Sequence, residues 1–92
     1  DRTVTFRSGG RLVADALLFE GLKVLDVGTW IAAPTAATML ADLGADVIKI
    51  EQPEVGDAYR NYYQMPASPD SPINFTWALD ARNKRSLSLN LK

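Results

Sequence analysis

Two short runs of mostly apolar, β-branched residues predict buried strands in the first half of the chain. They are Leu22–Val27, which Gly21 and Gly28 bound, and Asp46–Glu51. Such runs are typical of parallel strands that are covered on both faces. The interval between them has the size of the crossover in a right-handed parallel βαβ unit. We therefore expect the two strands to be parallel neighbours.

The crossover between these runs has a helical period. Pro34 suits the first turn because its missing N–H is one of the donors left unpaired at a helix start. Gly44 suits the position just after the last turn. We predict a helix over residues 34–43. Apolar residues that recur at spacings of three and four are expected to form its core-facing side: Ala36, Met39, Leu40 and Leu43.

The end of the chain follows a different period, strict alternation. Leu87, Leu89 and Leu91 alternate with polar residues, which predicts a third strand over residues 86–91 with its leucines on one face. One long helix covers only one face of a parallel sheet, so the leucines are expected to face further polypeptide or a partner. The predicted fold class is α/β, an incomplete parallel sheet built on a βαβ unit.

The segments outside this frame carry weaker patterns. Residues 1–20 form an amino-terminal extension in which a Gly-Gly pair separates two short apolar runs, as in a hairpin, although its last residues fit a helical turn equally well. The tyrosines of Gln52–Pro72 indicate packing, so we expect a long ordered loop there. A short helix at Ile73–Leu79, capped by Asn74, is predicted next.

Composition narrows the chemistry more than it narrows the fold. The chain has 92 residues, 47% hydrophobic and 23% charged, as expected of one small globular domain. A formal net charge of -1 provides no overall field for nucleic acid or an anionic membrane. The sequence has no cysteine and no histidine, which excludes thiol nucleophiles, histidine bases and their zinc sites from these residues. Because these residues lack the usual zinc ligands, we expect no bound metal. No run approaches the roughly 20 apolar residues of a membrane span, so we expect no membrane anchor either.

Two sequence blocks, taken in order, carry a family resemblance. One runs from FEGLKVLDVG through WIAAPTAATMLADLGADVIKIEQPEVGD, and the other is RNKRSLSLNLK. They cover about residues 19–92 and resemble the opening of class III coenzyme A transferases, the group that contains formyl-CoA and carnitine-CoA transferases. The resemblance implies a Rossmann-like large domain, of which residues 21–92 would be the amino-terminal part. It also implies a cytoplasmic enzyme whose two identical subunits interlock.

The resemblance implies a reaction as well, the transfer of CoA from an acyl-CoA donor to a carboxylic acid. In the family an aspartate attacks the thioester, forms a mixed anhydride and then carries CoA as an aspartyl thioester. That aspartate matches no residue up to Lys92, so we expect no catalytic residue here and no activity from this chain alone. Two alternatives stay open: an acyl-CoA racemase of the same superfamily, and a non-catalytic domain that only binds CoA or assembles with a partner.

Contacts to coenzyme A are implied for residues in two places. In the family the loop after the first strand and the third-strand block meet the cofactor. The matching positions, with the polar residues leading into the block, are Trp30, Ile31, Ala32, Asn83, Lys84, Arg85, Leu89 and Lys92. Loops at the carboxyl ends of parallel strands bind ligands in open α/β sheets, and basic side chains suit phosphates. We therefore expect Trp30 and the basic cluster to face one cleft.

These positions also have other interpretations. Trp30 and Ile31 suit a hydrophobic plug, and a polar cluster before a strand is usually a solvated turn. Ile31 stands where formyl-CoA transferase has a glutamine, which indicates a more apolar acyl group, and Gln52 stands where an arginine commonly meets nucleotide phosphates. Glu51 ends a strand as the ribose-binding acid of dinucleotide enzymes does, but the turn GTWIAAP lacks their glycine pattern.

Overall fold

The computed structural model of this chain describes residues 7–8, 11–12 and 17–92. Near the start, strands β1 (Arg7–Ser8) and β2 (Arg11–Leu12) pair antiparallel, with Ser8 opposite Arg11. Two residues separate these partners, as in a tight hairpin. The predicted turn pair, Gly9 and Gly10, lies outside the described residues. The treatment of residues 1–20 as a separate extension stays a prediction.

A three-stranded parallel sheet forms the frame of the described chain. Strands β3 (Lys23–Asp26), β4 (Asp46–Glu51) and β5 (Arg85–Ser88) lie side by side with β4 in the centre. Helix α1 (Ala32–Asp42) connects β3 to β4. The α/β class, the parallel sheet and the βαβ unit are therefore confirmed.

Strand β5 is shorter than predicted because its neighbour ends. The last registered pair joins Ser88 to Glu51, the final residue of β4. One further backbone bond follows, from the Leu89 N–H to the Glu51 carbonyl at 2.9 Å. Beyond it no strand among the described residues lies beside the alternating leucines, so the chain leaves the sheet.

Two short helices lie between β4 and β5. A 3-10 helix spans Ala58–Gln64 after Asp57, so the predicted loop contains a helical segment. Helix α2 spans Phe75–Asp80, and the Asn74 side chain accepts the N–H three residues later at 3.2 Å. The predicted cap is confirmed. This bond satisfies one of the donors left unpaired at a helix start.

The two faces of the sheet differ in what covers them. Helix α1 packs on one, here named the covered face, whose small core contains Ala37, Ala41, Ala45 and Val47, with Phe19, Val24 and Leu40 against it. The other, the open face, carries Leu25, Ile48, Ile50 and Leu87 in adjacent positions. Leu25 is 66% exposed and Leu87 46%. One helix therefore leaves one sheet face uncovered in the described residues, as expected.

Helix α1 turns a different side to the sheet from the one predicted. Its buried residues are Pro34, Ala37, Thr38 and Ala41. Met39 is 61% exposed and Leu43 is also exposed, so the predicted core side was wrong apart from the half-buried Leu40. Small side chains let the helix backbone approach the sheet closely. The buried Thr38 hydroxyl donates a hydrogen bond to the Pro34 carbonyl at 2.9 Å, so its donor is satisfied.

Candidate functional site

An open cleft lies where the carboxyl ends of the three parallel strands meet. Val27 and Thr29, just after β3, line one part of it, and residues 50–52 and 89–92 line the rest. Open α/β sheets bind their ligands at this edge. Of the residues predicted to contact CoA, Leu89 and Lys92 line this cleft.

The loop between β3 and α1 carries three more of the predicted residues. Ala32 is the first residue of α1, and Ile31 precedes it without a side-chain cap. Trp30 has a φ of 65° and is 47% exposed. Its ring packs against Tyr59, with centroids 6.3 Å apart, and edge-on against Tyr62 at 6.2 Å. Trp30 is therefore supported on one side and open to solvent on the other, which fits parts of both interpretations of this residue.

The polar cluster before β5 lies at the opposite end of that strand. The Arg85 guanidinium holds Asp46 through two bonds of 3.0 and 2.7 Å, and Arg85 is in register with Ile48 on the open face. Asn83 donates to an Asp42 carboxylate oxygen at 2.7 Å. The expectation that Trp30 and Arg85 face one cleft is therefore wrong. Trp30 follows the carboxyl end of β3, whereas Arg85 lies at the amino end of β5, and in a parallel sheet these are opposite ends. A CoA contact by these residues stays a prediction.

Lys84, the middle residue of that cluster, turns inward to the covered face. Its side chain is 2% exposed, and its ammonium lies 2.8 Å from Asp26 Oδ2 and 2.6 Å from the Pro34 carbonyl oxygen. Both acceptors belong to β3 and the start of α1. Lys84 therefore fastens β5 to the βαβ unit and presents no free ammonium to solvent.

Lys84 is part of a buried charged network that the sequence analysis missed. The Lys49 ammonium lies 3.0 Å from Asp57 Oδ2 and 3.6 Å from Asp26 Oδ2, and all three side chains are 1–2% exposed. The sequence does contain a pattern that could have revealed this network, the spacing of charged residues along the strands. Asp26 follows Val24 by two residues, and Lys49 and Glu51 follow Val47 by two and four, so these three charged residues fall on the covered face.

Glu51 and Arg60 complete the network at the cleft. The Glu51 carboxylate accepts four hydrogen bonds. Arg60 donates two of them, from Nε at 2.7 Å and from Nη2 at 2.6 Å, and the Asp57 N–H and the Ser86 hydroxyl donate the other two at 3.0 Å each. The Arg60 hydrogen bonds lower the pKa of Glu51 to about 2, against the opposing effect of burial, and raise the pKa of Arg60. The Glu51 carboxylate is thus fully engaged, which leaves little room for a ribose hydroxyl.

An aromatic cluster packs beside this network. Tyr59 is buried and donates its hydroxyl to Asp80 Oδ2 at 2.5 Å. Burial, and then the Asp80 carboxylate, raise the pKa of Tyr59 to about 12. The Arg60 guanidinium stacks 4.0 Å from the centroid of the Trp77 ring. These contacts join the 3-10 helix to α2 and to the loop that carries Trp30.

None of the described helices is long and apolar enough to cross a bilayer. No group of three or more His, Cys, Asp or Glu side chains among residues 7–8, 11–12 and 17–92 is arranged to hold a metal ion.

Comparisons with known proteins agree on one family. The family model described as CoA-transferase family III matches residues 19–92. A succinyl-CoA–L-malate CoA-transferase beta subunit of Chloroflexus aurantiacus is 47% identical over 76 residues, which are 83% of this chain and 18% of that protein. A formyl-CoA:oxalate CoA-transferase of Escherichia coli is 45% identical over 73 residues, 79% of this chain and 17% of that protein. The chain spans about a fifth of the length of these relatives.

Solved structures agree with the sequence relatives. The crystal structure of Rv3272 from Mycobacterium tuberculosis matches with a TM-score of 0.67 and 36% identity, over 83% of this chain and 21% of that one. A CAIB/BAIF family protein from Brucella suis matches with a TM-score of 0.65 and 36% identity, over 79% of this chain and 19% of that one. The partial Rossmann-like sheet is thus shared with larger proteins.

Proposed function

This chain belongs to CoA-transferase family III, and from that premise we propose that it is the amino-terminal part of an enzyme that transfers coenzyme A from an acyl-CoA donor to a carboxylic acid. The observation that carries the proposal is the family match over residues 19–92. Relatives named as CoA-transferases for malate, a hydroxy acid and oxalate support the reaction class. Their acids differ, so the acyl donor and acceptor of this chain are left unnamed.

The contribution we propose for this chain is one wall of the CoA site. Trp30, Ile31 and Ala32 would present an apolar loop to the cofactor, and Leu89 and Lys92 would extend that wall along the cleft after β5. The position of the cleft at the carboxyl edge of a parallel sheet supports the assignment of Leu89 and Lys92, which line it. Trp30, Ile31 and Ala32 follow Thr29, a residue of the cleft lining, and are assigned from the family resemblance. The exposed Lys92 ammonium suits a phosphate or pyrophosphate group.

The other three predicted CoA contacts are residues whose side chains are already bound to carboxylates of this chain. Arg85 and Asn83 already bind Asp46 and Asp42, and the Lys84 ammonium is buried against Asp26. A phosphate would have to displace a carboxylate from Arg85 or Asn83. We therefore rank these three behind the residues of the first loop and of the cleft.

The chemistry we propose is covalent catalysis by an aspartate outside these 92 residues. Its carboxylate oxygen would attack the thioester carbonyl, so that the C–S bond breaks. CoA would leave as a thiolate, and the acyl group would stay on the aspartate as a mixed anhydride. The thiolate would then attack the aspartyl carbonyl and release the donor acid, which leaves CoA on the enzyme as an aspartyl thioester. The acceptor carboxylate would displace the thiolate from this thioester to form a second anhydride, and the thiolate would attack the acceptor carbonyl, which gives the new acyl-CoA and frees the aspartate. Asp26 and Asp57 are unsuited to this role because both are buried and ion-paired.

The proposal extends to assembly and location. Two relatives are named as beta and alpha subunits of a succinyl-CoA–L-malate CoA-transferase. These names indicate an assembly of more than one chain, in that case of unlike subunits. From the family resemblance we propose that the complete enzyme is an interlocked homodimer that works in the cytoplasm. Further polypeptide of such an enzyme would cover the open face of the sheet.

Calorimetric titration of the 92-residue chain with free CoA tests the proposed site. We expect saturable binding in the millimolar range, and no transfer when succinyl-CoA and L-malate are supplied. Lys92→Ala should weaken CoA binding about three- to tenfold through the loss of one charge-assisted bond. Arg82→Ala, which removes an exposed ion pair with Asp42, should leave binding unchanged.

Two results would contradict the proposal in different ways. The absence of binding heat at millimolar CoA would refute the cofactor role of this chain. Turnover by the chain alone would refute the placement of the nucleophile outside it.

A further inference from the structure

Three buried charged side chains bind the backbone of the loop between β3 and α1. Asp26 Oδ1 accepts the Gly28 N–H at 3.1 Å, and the Lys49 ammonium donates to the Gly28 carbonyl at 2.9 Å. Asp57 Oδ1 accepts the Trp30 N–H at 3.1 Å. Bonds to ionised groups are stronger than those between neutral groups. The network is thus directed at the backbone of one loop as well as at its own counter-charges.

The residue held by Asp57 has an unfavourable backbone conformation. Trp30 has a φ of 65°, in the left-handed region that disfavours residues with a bulky side chain. Such a conformation persists only where the surroundings enforce it, and it is concentrated at ligand-binding and catalytic positions. Here the enforcing bond and the strain meet at one residue, whose ring is half-exposed.

Asp57 also joins the loop to the 3-10 helix, whose tyrosines support the Trp30 ring. The same oxygen, Oδ1, accepts the Tyr59 N–H at 3.0 Å. Tyr59 and Tyr62 of that helix contact the Trp30 ring. Lys49 neutralises Asp57 from the central strand. One ion pair thus sets the position of the Trp30 backbone and of the rings on which its side chain rests.

A purely stabilising role explains this arrangement poorly. Buried ion pairs are often no more stabilising than apolar residues of similar volume. What an apolar replacement does not provide is an acceptor for the Trp30 N–H and a donor for the Gly28 carbonyl. The geometry therefore favours positioning of the loop over stability of the core.

We propose that Lys49 and Asp57 are positioning residues that hold the Gly28–Trp30 loop in its CoA-binding conformation. This inference rests on the proposed CoA site, because Trp30 is one of its walls. Neither residue touches the ligand. Both act through the backbone of the loop, so their loss weakens CoA binding without removing a contact to the cofactor.

The test compares two substitutions of Asp57 in the 92-residue chain. Asp57→Ala removes the acceptor, and Asp57→Asn keeps a carbonyl oxygen at the same place. Circular dichroism checks folding, amide hydrogen exchange by NMR follows the Trp30 N–H, and calorimetry measures CoA affinity. We expect the alanine variant to show roughly tenfold faster exchange at Trp30 and about tenfold weaker CoA binding, with the asparagine variant between it and wild type.

A charge-balanced variant and a surface control accompany this comparison. If Asp57→Ala does not fold, the double variant Lys49→Met/Asp57→Asn removes the ion pair without leaving either member unpaired. The introduced asparagine still offers an acceptor to the Trp30 N–H, but the Gly28 carbonyl loses its donor. Faster Trp30 exchange and weaker CoA binding are therefore expected of it, each by a smaller factor than in Asp57→Ala. Arg82→Ala removes an exposed ion pair with Asp42, at the end of α1 opposite to the loop, and should change neither quantity.

The outcomes separate the inference from the proposed function. A folded Asp57→Ala or double variant that binds CoA as wild type does would overturn the positioning role, and so would weaker binding with an unchanged Trp30 amide. If wild type itself binds no CoA, the proposed function fails. Unchanged exchange at Trp30 in the variants would then refute the positioning role independently, and faster exchange would support it.

Discussion

Glu51 ends strand β4 with both carboxylate oxygens engaged. Arg60 donates two hydrogen bonds to it, from Nε and Nη2, and the Ser86 hydroxyl and the Asp57 N–H donate the other two. Two-point, charge-assisted bonds of this kind favour the ionised carboxylate strongly. They outweigh its burial, which alone would favour the neutral acid. The pKa of Glu51 consequently falls from 4.5 to about 2.

This pKa predicts a stability loss in acid. The folded pKa lies below the unfolded one, so the Glu51 contribution is present above about pH 4.5 and is lost as the pH falls towards 2. At about 1.4 kcal/mol per pKa unit the shift sets an upper limit of roughly 3 kcal/mol. Because the Arg60 side chain is 40% exposed, solvent screening reduces this to about 1–2 kcal/mol.

Urea unfolding at a series of pH values measures the effect. Glu51→Gln should remove this part of the pH dependence, whereas the exposed Glu54→Gln should leave it in place. Equal acid sensitivity in wild type and Glu51→Gln would contradict the assignment.

The raised pKa of Tyr59 predicts a loss of stability at alkaline pH. Its folded pKa of about 12 lies above the usual value of 10, so its contribution to stability holds below about pH 10 and is lost as the pH rises towards 12. In a near-ultraviolet titration of the folded chain we expect one tyrosine to ionise late. Tyr59→Phe should abolish that late step. Its persistence in the variant would assign the step to another tyrosine.

The β3–α1 connection depends on a close approach between two elements. A Cβ added to Gly28 would lie 2.5 Å from the Ala33 Cβ and 3.2 Å from the Pro34 ring. Separations under 3 Å require the backbone to shift. Gly28 is therefore needed for space, since it lets the loop turn directly into α1 beside the buried network.

Gly28→Ala should consequently destabilise the chain by about 1–3 kcal/mol through overpacking. Ala33→Gly alone should cost up to about 1 kcal/mol as a glycine in a helix. In the double variant the clashing methyl group is gone, so its loss should be smaller than the sum of the two. Chemical unfolding of the four proteins measures this coupling, and strictly additive losses would rule out the contact.

The whole molecule is organised by the contrast between the covered and the open face. The covered face holds the small apolar core and, towards the cleft, the charged network. The open face displays a contiguous set of branched apolar side chains, of a kind that monomeric proteins seldom leave in water over a large area. Both faces of a parallel sheet are normally buried, which agrees with relatives about five times as long as this chain.

Matched truncations on the two faces test this asymmetry. Val47→Ala, on the covered face, should cost about 2 kcal/mol because it removes buried methyl groups and leaves a cavity. Leu87→Ala removes more carbon atoms but should cost under about 1 kcal/mol, since Leu87 is 46% exposed already. Urea unfolding compares the two variants. A larger loss for Leu87→Ala would mean that the open face is covered in solution.

Local patterns in the sequence were enough to predict the elements. The βαβ unit, the bounds of β4 and the Asn74 cap depend on residues within a few positions of one another, where period and backbone preference act directly. The family could also be identified at this level, because its motifs are contiguous. The exposure of Leu87 followed from counting helices against sheet faces.

Tertiary structure alone decided which side of α1 is buried and which partner each charge has. Close packing selected the small residues Ala37 and Ala41 over the larger Met39, a choice that depends on the distance between helix and sheet. Lys84 pairs with Asp26, 58 positions away, and Arg85 with Asp46, 39 positions away. A charged side chain, buried or exposed, binds whichever opposite charge the fold brings near, and no local period in the sequence records that choice.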